Sequence, residues 1–275
     1  MTDRPILVVG ATGKTGSRVA AGLAARGRAV RPGARSAALP FDWTRPGTWA
    51  PALEGVEAAY VAYHPDIAVP GAVETVAAFV EQARRSGLGR LVLLTGRGER
   101  HARRAEEIAQ ASGLGVTVLR AAWFAQNFSE GELADPVRAG VLPMPGGDVR
   151  EPILDIDDLA EIAVEALLDP RHAGELYELT GPRLMTFDEM AADIAAAAGR
   201  PVQRLSLSFD AFHDEVARAH GGALAEVVTA VARETLDGRN AWLGDGVQRA
   251  LGRAPRDFAD FARAAAEAGA WRVAA

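Results

Sequence analysis

The sequence predicts an α/β fold, in which a doubly wound parallel sheet carries helices on both faces and a small, mostly helical lobe follows toward the C-terminus. Three observations carry this expectation. Short apolar runs alternate with longer segments of helical periodicity, as βαβ units require. The runs are apolar throughout rather than at every second residue, as strands covered on both faces are. A glycine-rich turn after the first run opens the first helix.

The runs are ILVV (6–9), AAYVAY (58–63), RLVLLT (90–95), GVTVLR (115–120) and ELYELT (175–180). A further strand lies in GRAVRPGARS, where Pro32 and Gly33 make it short or edge-broken. Between strands, PGAVETVAAFVEQARRSG sets Val73, Val76, Ala77, Val80 and Ala83 on one helical face before a stop at Gly87. ERHARRAEEIAQASG is a polar-faced helix ending at Gly113. From about Phe124 the pattern loosens, and the stretch FSEGELADPVRAGVLPMPGGDVREP, beginning at Phe128, is rich in Gly and Pro and breaks the alternation, which marks a lobe inserted after the sheet. Beyond Gly181 the pattern is helical to the end, with no further strand rhythm. Residues 1–125, with 150–182 returning to the sheet, are therefore expected to form the nucleotide-binding core, and 126–149 with 183–275 the substrate lobe.

Composition narrows the function. With 49% hydrophobic and 24% charged residues the 275-residue chain is a folded globule. A net charge of −6 without a basic cluster argues against nucleic acid. The absence of cysteine excludes disulfides, thiolate metal sites and cysteine nucleophiles, and a cytoplasmic location is expected. No apolar run approaches the 18 residues that a membrane span needs.

The first turn reads GATGKTGSRV and holds Lys14, the one lysine of the chain. Gly10, Gly13 and Gly16 follow a strand and open a helix, so the turn can adopt positive φ, and its backbone, with Thr12 and Thr15, can approach a pyrophosphate at the positive end of the helix. The choice between NAD and NADP rests on charge near the ribose. A carboxylate after the second strand selects NAD and cations select the 2′-phosphate of NADP. Here that position offers Arg31 and Arg35 and no acid, and Lys14 can add a charge to the same phosphate. NADP is the expected cofactor, NAD the less favoured one. In DIDDLAEIA, the acids Asp155, Asp157 and Asp158 resemble a metal cluster, but Asp157 or Asp158 as an N-cap of the next helix explains the spacing, and no metal is expected.

The segments VVGATGKTGSRV, FDWTRPGTW, GLGRLVLLT, SGLGVTVLRAAWFAQNF, EPILDIDDLAEIAVEALLDPRHAGELYELTGP and GVQRALGRAPRDFADFA, in that order, resemble the NmrA-like, atypical short-chain dehydrogenase/reductase family, nearest the ergot-alkaloid reductase type. The resemblance implies a Rossmann domain with a small C-terminal lobe and a nicotinamide nucleotide bound between them. It implies that the acid following the third strand, carried over to Asp42, lies by the adenine. It also implies that the ends of the fourth and fifth strands line the nicotinamide, through Tyr63, His64, Pro65, Thr95 and Gly96. The chain departs from the wider superfamily in lacking the Tyr-x-x-x-Lys pair. The corresponding helix offers His101 and Arg103, and an arginine cannot relay a proton but can hold ribose or phosphate.

Without that pair, hydride transfer fits an acceptor that carries or delocalises its own charge, such as a quinone, an enone or an iminium. The expected substrate is a small aromatic or polycyclic molecule, and the chain a monomer or homodimer. His64 at a strand end can give or take a proton, Tyr63 neighbours it, and Asn127 offers an amide donor and acceptor. Trp123, Phe124 and Phe128 can stack a flat substrate or fill a core. Two other readings remain open at this point: a non-catalytic NADP-binding redox sensor, and a redox-neutral isomerase or coupling enzyme with bound cofactor.

Overall fold

The computed structural model describes residues 4–272. Strand β1 (Ile6–Val9) leads through the glycine turn into α1 (Lys14–Ala25) and β2 (Val30–Gly33). A loop and the short helix α2 (Trp49–Leu53) precede β3 (Ala58–Val61), α3 (Ala72–Arg85), β4 (Arg90–Gly96), α4 (Arg100–Gln110) and β5 (Gly115–Ala121). Helices α5 (Asn127–Glu130) and α6 (Ala134–Arg138) and strand β6 (Val141–Met144) leave the sheet, to which α7 (Ile156–Leu168) and β7 (Leu176–Leu179) return. Then come α8 (Phe187–Ala198), β8 (Gln203–Ser206), α9 (Phe209–His220), α10 (Gly222–Thr235), α11 (Gly246–Leu251) and α12 (Phe258–Glu267).

The main sheet is parallel, in the order β2-β1-β3-β4-β5-β7. The order reverses between β1 and β3, which opens a crevice at the C-terminal ends of those strands, where open α/β sheets bind ligands. The residues of the central strands are mostly buried on both faces, whereas the edge strand β2 is only partly covered. Ile6, Val8, Val92 and Leu119 pack with α1 and α7, and Leu7, Val61, Leu91 and Val118 pack with α2, α3 and α4. A third core, with Phe128, Leu142, Phe187, Phe212, Phe258 and Trp271, lies beyond the sheet, where the Trp271 indole donates to the Phe128 carbonyl at 2.8 Å.

Three expectations are corrected. First, no third strand precedes Asp42. Residues 34–45 form turns, so β2 is the sheet edge, Asp42 lies between β2 and β3, Tyr63–Pro65 follow β3, and Thr95 and Gly96 end β4. Pro40 lacks a ladder donor, which disfavours another strand there. Second, the region past Gly181 is not free of strands, because β8 pairs in parallel with β6 from Val141↔Gln203 to Met144↔Ser206. Third, Asp155 caps α7, its Oδ1 accepting from the Asp157 amide at 2.9 Å, while Asp157 and Asp158 occupy the first turn. Asp158 is buried and pairs with Arg253 at 2.8 Å and with Arg256. In the C-terminal lobe the aromatics Phe212, Phe258 and Trp271 are core residues.

Helix α8 carries a reciprocal cap. The Thr186 hydroxyl accepts from the Glu189 amide at 3.2 Å, and the Glu189 carboxylate accepts from the Thr186 amide at 2.7 Å. Thr186→Ala should lower stability by about 1 kcal/mol. In urea titration this reads as a lower midpoint with an unchanged slope.

Candidate active site

The glycine turn is built by close approach. Gly10 has φ 80°, a left-handed conformation that glycine adopts without strain. A Cβ at Gly16 would lie 2.6 Å from the Gly10 carbonyl carbon and closer still to its oxygen. Only a residue without a Cβ lets α1 seat this tightly on the turn. Gly13 is the N-cap of α1 and no side chain caps it, so the amides of Lys14, Thr15 and Gly16, which lack partners inside the helix, face the crevice. Thr12 is exposed in the turn, and Thr15 is buried in the first helical turn. These features fit a pyrophosphate.

Lys14 does not turn toward β2. Its ammonium donates to the Asn127 side-chain oxygen at 2.7 Å, and Asn127 follows β5, on the opposite side of β1 from β2. Arg18, one turn on, bridges Glu130 at 2.5 Å and Asp157 at 2.8 Å, tying α1 to α5 and α7. Lys14 therefore joins the turn to a candidate substrate residue, on the side of β1 away from Arg31 and Arg35. Arg31 is also committed elsewhere. Its guanidinium donates to the carbonyls of Ala52 at 2.9 Å and Glu54 at 2.5 Å, at the negative end of α2. Arg35, just past the end of β2, is exposed. Asp42 caps its own turn, accepting from the Thr44 amide and hydroxyl at 2.9 Å, and these bonds hold its carboxyl below the usual range.

At the other crevice wall, Tyr63 packs on Trp43 with ring centroids 4.8 Å apart, at the rim of a cluster with Phe41, Trp49 and Phe79. His64 and Pro65 are exposed past the end of β3. His101 contacts the Ala68 carbonyl through Nδ1 at 2.6 Å. Trp123 donates to the Thr235 hydroxyl at 3.0 Å, which anchors the segment after β5 to α10. Gln126 donates to Asp155 at 2.7 Å and accepts from the Ile156 amide at 3.0 Å, fixing the same segment on α7.

The side chain of Thr95 is not free for a cofactor. It is buried and donates to Glu106 at 2.6 Å. Glu106 also pairs with Arg120, which donates to Glu178 at 2.6 Å, and Arg97 reaches the other Glu178 oxygen at 2.8 Å. This buried chain of alternating charge satisfies its members pairwise. Arg103 lines a cavity beside this network, past the end of β4, rather than the glycine turn.

Two buried acids carried no signal in the sequence. The Glu99 carboxylate packs against Gly96, where a Cβ would overlap it. Burial, with Asp66, Glu234 and Glu106 nearby, pushes its carboxyl well above the usual range. Glu151 is fully buried, neither of its carboxyl oxygens has a hydrogen-bond partner among the described residues, and burial raises it to about 8 despite Arg97. An isolated Glu in a Gly/Pro-rich stretch reveals its burial only through the fold. Among the described residues no three His, Cys, Asp or Glu side chains converge as a metal site, and no helix is long and apolar enough to cross a membrane.

An uncharacterized oxidoreductase YesF from Bacillus subtilis is 30% identical over 295 residues, covering 98% of each chain. An NAD(P)H azoreductase from Xenophilus azovorans is 31% identical over 292 residues, covering 96% of this chain and 98% of its own. The chain belongs to the NmrA-like, atypical short-chain dehydrogenase/reductase family of oxidoreductases. No family model matches it. The fold of this NmrA-like chain is shared with the Citrobacter sp. triphenylmethane reductase complexed with NADP(H), at a TM-score of 0.75 and 21% identity, over 95% of this chain and 99% of the other.

The raised Glu151 carboxyl sets a pH dependence. In the unfolded chain it ionises near the ordinary value of 4.5, and in the folded protein near 8, so between these values the native state holds the extra proton. Stability should therefore fall as pH rises through this window, by up to roughly 3–5 kcal/mol. Glu151→Gln should flatten that fall, as read by chemical denaturation at pH 5 and pH 8.

Proposed function

We propose that this chain is an NADPH-dependent reductase that passes hydride to a conjugated, quinone-, enone- or iminium-like small molecule without a Tyr-x-x-x-Lys proton donor. The observation that carries the reading is the tight seat of Gly16 on the Gly10 carbonyl, which leaves uncapped amides at the crevice between β1 and β3. In this reading the amides of Lys14, Thr15 and Gly16 hold the pyrophosphate, and Arg35 takes the 2′-phosphate. Bound there, NADPH supplies a hydride and with it both electrons of the reduction.

The remaining work falls to residues of the chain. Lys14 occupies the Asn127 side-chain oxygen, which orients the amide nitrogen as a donor at the crevice. His64, exposed past the end of β3, supplies a proton where the acceptor needs one. Glu99, packed against Gly96 and pushed by burial well above the usual carboxylate range, is a second candidate proton source on the β4 side. The azoreductase relative and the triphenylmethane reductase that shares the fold support a delocalised acceptor, since azo and triphenylmethane compounds are both extended π systems. Such acceptors take hydride with positioning and little acid catalysis.

Arg35→Ala should weaken NADPH binding about tenfold to hundredfold, as loss of a charge-assisted hydrogen bond of roughly 1.5–3 kcal/mol implies, and leave NADH unchanged. Fluorescence titration with both nucleotides reads the difference. Equal loss for both would remove Arg35 from the 2′-phosphate.

A further inference from the structure

Past the ends of β4, β5 and β7 lies a cavity of about 220 Å³, whose walls include five arginines, Arg97, Arg100, Arg103, Arg120 and Arg239, with Trp242 and the Glu178 carboxylate that Arg97 and Arg120 hold. Five guanidinium groups around one cavity are unexpected in a chain of net charge −6. Most of them are held in place by carboxylates. Arg97 and Arg120 share Glu178, with Arg120 also on Glu106, Arg100 pairs with Glu234 at 3.1 Å, and Arg239 pairs with Asp237 at 2.8 Å. Arg103 has no carboxylate partner among the described residues, and its side chain is exposed at the cavity. One positive charge is thus left unmatched beside four that are already positioned.

The walls are rigid where the charge is dense. The Arg97 side chain is 1% exposed, and its guanidinium lies 4.1 Å from the centroid of the Trp242 ring while donating to the carbonyls of Asn240 and Trp242 at 3.3 Å. Arg239 donates to the Gly98 carbonyl at 3.0 Å, closing the same wall. Trp242 is itself 48% exposed, a large area for an indole whose face is covered by the Arg97 guanidinium. Arginine forks match planar carboxylates and sulfonates, and an aromatic wall favours a ring on the same ligand. A cavity of about 150 Å³ takes benzene, so this one has room for an arene and its anionic group.

We propose that the cavity holds the anionic end of an aryl sulfonate or aryl carboxylate, so that the substrates of this chain are acidic aromatic compounds. This rests on the reductase reading, because the cavity opens at the same edge of the sheet as the glycine turn. Arg103 is then a substrate-binding residue and not a cofactor ligand.

The test is calorimetric titration of the full chain with 2-naphthalenesulfonate, with 2-naphthalenemethanol as the uncharged counterpart, and separately with NADPH. The sulfonate should bind one site at least tenfold more tightly than the alcohol, with and without NADPH, and Arg103→Gln should weaken it at least fivefold. Trp242→Phe, at a half-exposed position, is the second variant, and should weaken sulfonate and alcohol alike. Equal affinity for sulfonate and alcohol, no effect of Arg103→Gln, or displacement of the sulfonate by NADPH would overturn the proposal. Weaker NADPH binding by Arg103→Gln would overturn it too, by returning that residue to the cofactor. If the sulfonate fails while NADPH binds, this proposal falls alone. If NADPH fails, the reductase reading falls and takes the substrate role with it.

Discussion

The contact between the first turn of α1 and the Gly10 carbonyl is the constraint on which the rest depends. Because Gly16 has no Cβ, the helix seats on the turn with its axis directed at the crevice, and because no side chain caps Gly13, the exposed amides remain available. A helix N-terminus in this state concentrates partial positive charge and unpaired donors at one point. The reversal of strand order between β1 and β3 places that point in a crevice open to solvent. Sequence, local conformation, topology and ligand chemistry thus converge on three glycines.

From there, charge rather than apolar surface organises the crevice. Lys14 and Arg18 tie the turn to α5 and α7, so the residues after β5 are positioned from the cofactor side. On the β4 side, Thr95, Glu106, Arg120, Glu178 and Arg97 form a buried, mutually satisfied network that ends in the arginine-lined cavity. Removing a single member of such a network strands its partner, at a cost of about 3–5 kcal/mol. The network therefore fixes the cavity walls more firmly than a surface cluster of the same residues would.

Much of this was legible in the sequence because it depends on patterns with a physical period or a backbone requirement. The apolar runs at 6–9, 90–95 and 115–120, the helical faces and the glycine spacing each specify local structure directly. What was illegible depends on tertiary choice. Arg31 and Arg35 look equivalent in RPGARS, yet one reaches the end of α2 and the other is exposed past β2. Thr95 looks like a strand-end ligand until Glu106 is found beneath it. The pairing of VLPM with QRLS, across 58 intervening residues, leaves no alternation to read, since each strand has a single partner. Glu99 and Glu151 are ordinary acids in the sequence, and only burial makes them unusual.

The most direct measurement is a fluorescence titration of NADPH against the wild-type chain and Gly16→Ala, with far-UV circular dichroism confirming that both are folded. The account predicts saturable one-site binding by the wild type and its loss in the folded variant. Folded Gly16→Ala that binds NADPH as tightly as the wild type, or a wild type that binds no nicotinamide nucleotide, would contradict it.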